Sequence, residues 1–237
     1  MYNDLFYIVF NGIRDRELGL YVLHRPSIPC PEKNIEEKQI PGRDGSITID
    51  HGTYKNIEIS VEYNFLNKID YINKSRIIKK WINNIRDNKL KFSDNLDYFY
   101  KVKYCKLDVI ERVTKRVGKF SLKFICDPYT YLDMLDHIII TNNITLYNEY
   151  DICKPRYYLN GEGLVKLTVN NKEVTINLGQ NCIIDTERRE CYRKDGTLIN
   201  TCMKGKYEDL FLKEHENTIT FSGNITKLEI MPNYRFI

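Results

Sequence analysis

The chain of 237 residues is long enough for one large or two modest domains with cores of their own. Its formal charge of +4 comes from 36 basic against 32 acidic side chains, a near balance that gives charge no weight as a sign of nucleic-acid binding. No apolar run reaches the roughly 18–20 residues that cross a bilayer. Met1 to Phe10 carries Asp4 and lacks both a basic start and a long apolar block, so it does not read as a signal peptide. The expectation is a soluble protein made in a cytoplasm, whose seven cysteines stay reduced and act as small buried apolar groups. None of them forms a C-x-x-C pair; the closest spacing is Cys182 to Cys191. The chain has no alanine and is rich in Ile, Asn, Lys and Tyr, a bias that fits an A/T-rich genome.

Turn chemistry marks the first fifty residues. Phe10-Asn11-Gly12 is followed by Leu18-Gly19-Leu20, Arg25-Pro26 and Pro41-Gly42-Arg43-Asp44-Gly45. Pro41-Gly42 suits the centre of a type II turn, because proline presets its φ and glycine accepts a positive one. Asp44-Gly45 is a second turn-forming pair, so the segment predicts a tight hairpin tip that displays Arg43.

From Asn56 to Phe65 every odd position is apolar and every even one polar, the period of a strand with one buried face. Each inward residue is worth roughly 1.5–3 kcal/mol if fully buried. Ile69, Ile72, Ile78, Trp81, Ile82 and Ile85 then recur at helical spacing, which predicts a helix over about 69–87 with Asp70 as N-cap and Trp81 as the core anchor. The basic run Lys74–Lys80 on that helix reads as a solvated face, or else as a patch facing DNA or another subunit. Strands are expected at Leu90–Ser93, Tyr98–Arg112 and Gly118–Cys126, the last stopped by Asp127-Pro128.

The domain boundary is expected between Pro128 and about Thr141. Beyond it only short strands are predicted. They include a hairpin of Val165–Val169 and Val174–Leu178 across Asn170–Glu173, a turn-rich pair from Ile183–Asp185 to Cys191-Tyr192, and final strands at Thr218–Phe221 and Leu228–Met231.

In this order, the N-terminal motifs resemble those of siphophage distal tail proteins (the Dit family). Matching features are Phe10-Asn11-Gly12, Arg25-Pro26, Pro41-Gly42-Arg43-Asp44-Gly45, the long alternating strand, the helix with Trp81, Gly118 and Cys126-Asp127-Pro128. The second half is similar to that family's galectin-like domain through Pro155, Asn160-Gly161-Glu162-Gly163, Ile184-Asp185 and Ile230–Arg235, with Glu216 where the family usually has glycine.

The resemblance implies a mainly β chain. Residues 1–135 would form a ring-forming β-sandwich or split barrel with one helix, and 141–237 a galectin-like sandwich. It implies a structural subunit of a phage or phage-derived (prophage) tail tip, assembled in the bacterial cytoplasm. There it would form a ring hub, a hexamer by the resemblance, between the tail-tube protein and the tip or baseplate proteins. Receptor-binding proteins would dock on it, and DNA would pass through without being read. Arg25, Pro26, Pro41, Gly42, Arg43, Asp44 and Gly45 are the candidate ring contacts.

No catalytic, cofactor or metal site is expected. His24, His51, His137 and His215 are scattered, no acidic pair has glycosidase character, and Asn160–Gly163 precedes a strand rather than opening a helix. The alternative is a carbohydrate-binding module, with Tyr147, Tyr150, Tyr157, Tyr158 and Tyr192 as stacking rings.

Overall fold

The computed structural model describes residues 6–66, 71–114, 117–134, 136–141 and 143–237. It is mainly β and divides into two compact units, Met1–Thr130 with Ile237, and Tyr131–Phe236.

In the first unit an antiparallel sheet runs in the order Ile13–Arg14, Ile8–Phe10, Lys89–Phe92, Asn95–Leu107, Val117–Leu132, Ile57–Leu66 and Tyr21–Val22. Next to its Tyr21–Val22 edge lies the alternating strand seen in the sequence. Ile57, Ile59, Val61, Tyr63 and Phe65 are all buried, and Phe124, Leu122 and Phe120 lie directly opposite Ile59, Val61 and Tyr63. Gly118 stands opposite Phe65, and the ring occupies the space a Cβ would need, 2.3 Å away.

The Val117–Leu132 strand runs through Asp127-Pro128 instead of stopping there. Its ladder with Ile57–Leu66 ends at Cys126, so the missing proline N–H leaves no gap on that side. The single strand expected over Tyr98–Arg112 is also divided. It leaves the ladder after Leu107, with Val109 80% exposed, and Glu111–Arg112 re-pairs with Gly118 and Lys119.

The helix is described over Tyr71–Asn83, ending short of 87; Ile69 and Asp70 lie outside the described residues. Its buried face is Lys74, Ile78, Trp81 and Ile82, while Ile72 is exposed. Lys74 rather than Ile72 takes the inward position because it stands four residues before Ile78. Its Nζ donates to the Leu18 carbonyl, and burial lowers its pKa. The rest of the basic run, Arg76, Lys79 and Lys80, is exposed.

The helix is fastened by the Phe10-Asn11-Gly12 turn. Trp81 Nε1 donates to the Phe10 carbonyl at 3.0 Å, and the two rings meet edge to face at 5.5 Å. Asn11, at φ +55°, caps the helix end from outside it. Its Nδ2 donates to the Trp81 and Asn84 carbonyls at 3.1 and 2.7 Å, and its Oδ1 accepts from the Arg86 and Asp87 amides at 2.8 and 3.0 Å.

In the second unit the strand order is Ile138–Ile140, Ile225–Met231, Arg156–Val169, Lys172–Asp185 and Glu190–Tyr192. The predicted hairpin is there, with longer strands and a tighter loop. Only Asn170-Asn171 turn, at φ +50° and +65°, the two-residue turn that asparagine tolerates. Asn160–Gly163 lies inside the first strand rather than before it. There the strand changes partner, from Ile225–Met231 to His215–Ser222, with a register shift between Asn160 and Gly161. A Cβ on Gly161 would fall 2.1 Å from the Asn224 carbonyl, so the crossing needs glycine.

Near Glu216 the positive φ sits one residue earlier, at His215 (+69°). Buried Asn217 holds the bend by bonding both the amide and the carbonyl of Lys213 at 2.8 Å. The turn before Glu190 is built on buried Asp185, which accepts from the Glu187 and Arg188 amides and pairs with Arg156 at 2.8 Å.

Four of the seven thiols, Cys126, Cys153, Cys182 and Cys191, are buried as expected; Cys105 and Cys202 are half-buried. Cys30 is exposed because it lies in the uncovered stretch that leads into residues 33–54.

Two expectations follow. Asn11→Ala leaves two carbonyls and two amides without their partner and is expected to cost about 1–3 kcal/mol, read as a lower urea midpoint. Buried Asp15 accepts a bond from the Ile8 amide at 3.1 Å, and desolvation raises its pKa from 3.8 to about 6. The folded state therefore keeps a proton that the unfolded chain has released between these values, so stability falls as pH rises through that window. Asp15→Asn is expected to flatten the slope, by on the order of 1–3 kcal/mol, in denaturation curves taken across it.

Candidate assembly surface

The sequence between the two halves of the first turn-rich region forms a separate two-stranded ribbon, Lys33–Gln39 paired with Ser46–Tyr54. It buries almost nothing. Every residue of the first strand is exposed, and in the second only Ile47 and Tyr54 are half-covered. The tip is a type II turn: the Arg43 amide donates to the Ile40 carbonyl at 3.2 Å, with Gly42 at φ +82° in the position that requires it. Gly45, at φ +77°, returns the chain into the second strand. Pro41, Gly42, Arg43, Asp44 and Gly45 are all exposed.

Apolar side chains lie open along this ribbon. Ile35, Ile40 and Ile49 are 43%, 43% and 36% exposed, and Ile28, just before it, is 43% exposed. Directly paired residues share a face, so Ile47 and Ile49 stand on one side with Lys38 and Glu36 opposite them. Glu36 also meets His51 at 3.5 Å and Lys38 at 3.4 Å, while Lys33 meets Asp50 at 3.2 Å. Such exposed pairs contribute about 0–1 kcal/mol each and leave the charges available to a partner.

Arg25 and Pro26 lie outside the ribbon. Arg25 forms a two-point contact with Asp94, at 2.9 and 3.4 Å, and its guanidinium sits 5.3 Å from the Phe6 ring centre. The Asp94 hydrogen bond and charge raise its already high pKa. Pro26 is half-buried and lines an open depression with His24, Ile28, Glu58 and Ser60. The carboxylate there is occupied, since Glu58 pairs with Lys123 at 3.0 Å. Trp81 is buried in the helix–sheet core, 4% exposed. The structure thus gathers Pro41–Gly45 at one tip and sets Arg25, Pro26 and Trp81 apart from it.

The histidines have separate neighbours within each unit. His51 faces Glu36, His137 stacks on Tyr158 at 4.3 Å, and His215 lies 3.5 Å from the Tyr147 hydroxyl. Of the tyrosines named as stacking rings, Tyr157 is fully buried and donates to the Leu210 carbonyl at 2.8 Å, so it offers no face to a sugar. Tyr147 is 58% exposed.

Residues 20–126 match the family described as the phage tail protein RIFT-related domain. Among solved structures, the chain is similar to the SPP1 Dit protein (gp 19.1), described as a paradigm of the hub adsorption apparatus in phages that infect Gram-positive hosts. The TM-score is 0.65 at 12% identity, over 99% of this chain and 100% of that one. No curated protein sequence matches. Residues 20–126 thus carry the match to a phage tail domain, and the mainly β chain as a whole shares the fold of that solved protein.

Because Ile35 and Ile49 are exposed and belong to neither hydrophobic core, the double change Ile35→Lys, Ile49→Lys is expected to move stability by less than about 0.5 kcal/mol. A loss of several kcal/mol in thermal or urea unfolding would mean that the ribbon packs against its own unit.

Proposed function

We propose that the chain is a ring subunit of the tail tip, that the Lys33–Tyr54 ribbon carries the contact between neighbouring copies, and that the ring joins the tail tube to the tip proteins. The observation that carries this reading is the ribbon itself. A two-stranded hairpin with no buried face is at best marginally stable alone, yet this one exposes three isoleucines and a rigid tip. Those features gain their stabilisation when a second surface covers them. In a ring, each subunit meets its neighbour through two different patches, so a ribbon on one copy can lie against the sheet unit of the next. Arg43 at the tip supplies five donors in a fixed fork, suited to carboxylates or carbonyls of the neighbour.

A hexamer is the expected closure, with receptor-binding or baseplate proteins docking on the second unit and DNA passing through the opening. The role is structural and non-catalytic, and its place is the virion tail tip after assembly in the host cytoplasm. The SPP1 protein, described as part of a hub adsorption apparatus, supports this reading through its shared fold.

The test is assembly of the purified chain, alone and with its tail-tube protein, followed by negative-stain microscopy and mass photometry. Wild type is expected to give closed rings under at least one of these conditions. Ile35→Lys with Ile49→Lys is expected to abolish them, and Arg43→Ala to reduce them, with circular dichroism unchanged in both. Rings that form equally well in the double variant would overturn the assignment to the ribbon, and a strict monomer under both conditions would overturn the ring.

A further inference from the structure

Three cysteines of the second unit converge although the sequence spaces them far apart. Cys182 comes from the Lys172–Asp185 strand, Cys191 from Glu190–Tyr192, and Cys202 from the short 3-10 turn Asn200–Cys202. Their sulfurs all lie within 4.8 Å of one another, and Cys182 Sγ is 3.7 Å from Cys202 Sγ. A disulfide would need about 2.05 Å. Four ligands arranged tetrahedrally about zinc, with Zn–S near 2.3 Å, place sulfurs about 3.8 Å apart.

The backbone fixes this arrangement without help from the thiols. Cys191 lies opposite Ile184, its amide donates to Asn200 Oδ1 at 2.7 Å, and its carbonyl accepts from the Ile199 amide at 2.7 Å. The Cys202 amide then donates to the Ile199 carbonyl at 2.8 Å. Cys182 and Cys191 are buried, while Cys202 is half-buried and opens a route from solvent. The Tyr207 hydroxyl stands 3.5 Å from Cys191 Sγ and closes another side.

The other buried thiols are placed differently. Cys126 and Cys153 each sit singly against a backbone carbonyl, of Phe124 at 3.7 Å and of Asp151 at 3.1 Å. Isolated thiols of that kind fill space as small apolar groups. Three sulfurs that point at one another offer a soft donor set instead, suited to a zinc-class ion.

We propose that Cys182, Cys191 and Cys202 form a three-thiolate site for a zinc-class divalent cation, which pins the Glu190–Cys202 segment to the sheet. A solvent oxygen completes the coordination on the Cys202 side. Binding deprotonates the thiols, the protons pass to solvent, and no redox change is involved. The site is independent of the assembly reading, since it lies within the second unit and needs no neighbour.

The test uses the full chain, purified in reductant, stripped of metal, and titrated with cobalt(II) and then zinc(II). Cobalt is expected to produce a thiolate-to-metal charge-transfer band that saturates at one ion per chain and disappears when zinc is added. Zinc alone is expected to raise Tm. Cys202→Ser is expected to lose the band and the Tm shift while near-ultraviolet circular dichroism reports an intact fold; Cys30→Ser and Cys105→Ser are expected to keep both. Cobalt bound without a charge-transfer band, or a band that survives in Cys202→Ser, would overturn the proposal.

Discussion

The first unit depends on one junction, where the Phe10-Asn11-Gly12 turn meets the end of the helix. Trp81 reaches the Phe10 carbonyl through its indole N–H, and Asn11 reaches back over the helix terminus to bond two carbonyls and two amides. A helix end must satisfy its last carbonyls somewhere, and here one side chain from a distant turn does so. Phe10 meanwhile contacts both Trp81 and Phe124 edge to face, at 5.5 and 5.0 Å. The same three-residue turn thus sets the helix's axial position and links it to the alternating strands. With the helix fixed, Lys74 is carried inward to the Leu18 carbonyl, tying down the loop that precedes Tyr21–Val22.

That firmness contrasts with the Lys33–Tyr54 ribbon, whose side chains bury so little that its order rests on main-chain pairing and a well-chosen turn. An uncovered strand pair with isoleucines on it is a liability for a free monomer, because such surfaces invite association. In the ring proposed for this chain, that association is the purpose. In that proposal the division of labour is physical: a sheet unit with a packed helix supplies rigidity, and the ribbon supplies surface for a partner to bury.

How much of this was legible in the sequence follows from what burial does to a pattern. Ile57 to Phe65 alternate because one face is packed, so both the strand and its inward residues were readable. The Pro41–Gly45 turn was readable for a different reason, since proline and glycine constrain backbone angles regardless of packing. The ribbon strand Lys33–Gln39 was not, because a strand with no buried face has no reason to alternate, and Asn34-Ile35-Glu36-Glu37 reads as loop. Ile72 and Lys74 exchanged their expected roles because residue type outweighed phase: an isoleucine was assumed to face inward and a lysine outward, while a single carbonyl at Leu18 was enough to draw the lysine in. The thiol cluster escaped notice for a topological reason, as Cys182, Cys191 and Cys202 meet only after a strand, a turn and a 3-10 segment have folded together.

Hydrogen–deuterium exchange of the ribbon, compared between the free chain and the chain assembled with its tail-tube protein, tests the central claim most directly. In the free chain the amides of Ile35–Gln39 should exchange much faster than those of Ile57–Phe65, since no packed face protects their ladder. On assembly the ribbon should become protected while the Ile57–Phe65 strand stays unchanged. An assembled particle in which the ribbon still exchanges at the free-chain rate would contradict the account.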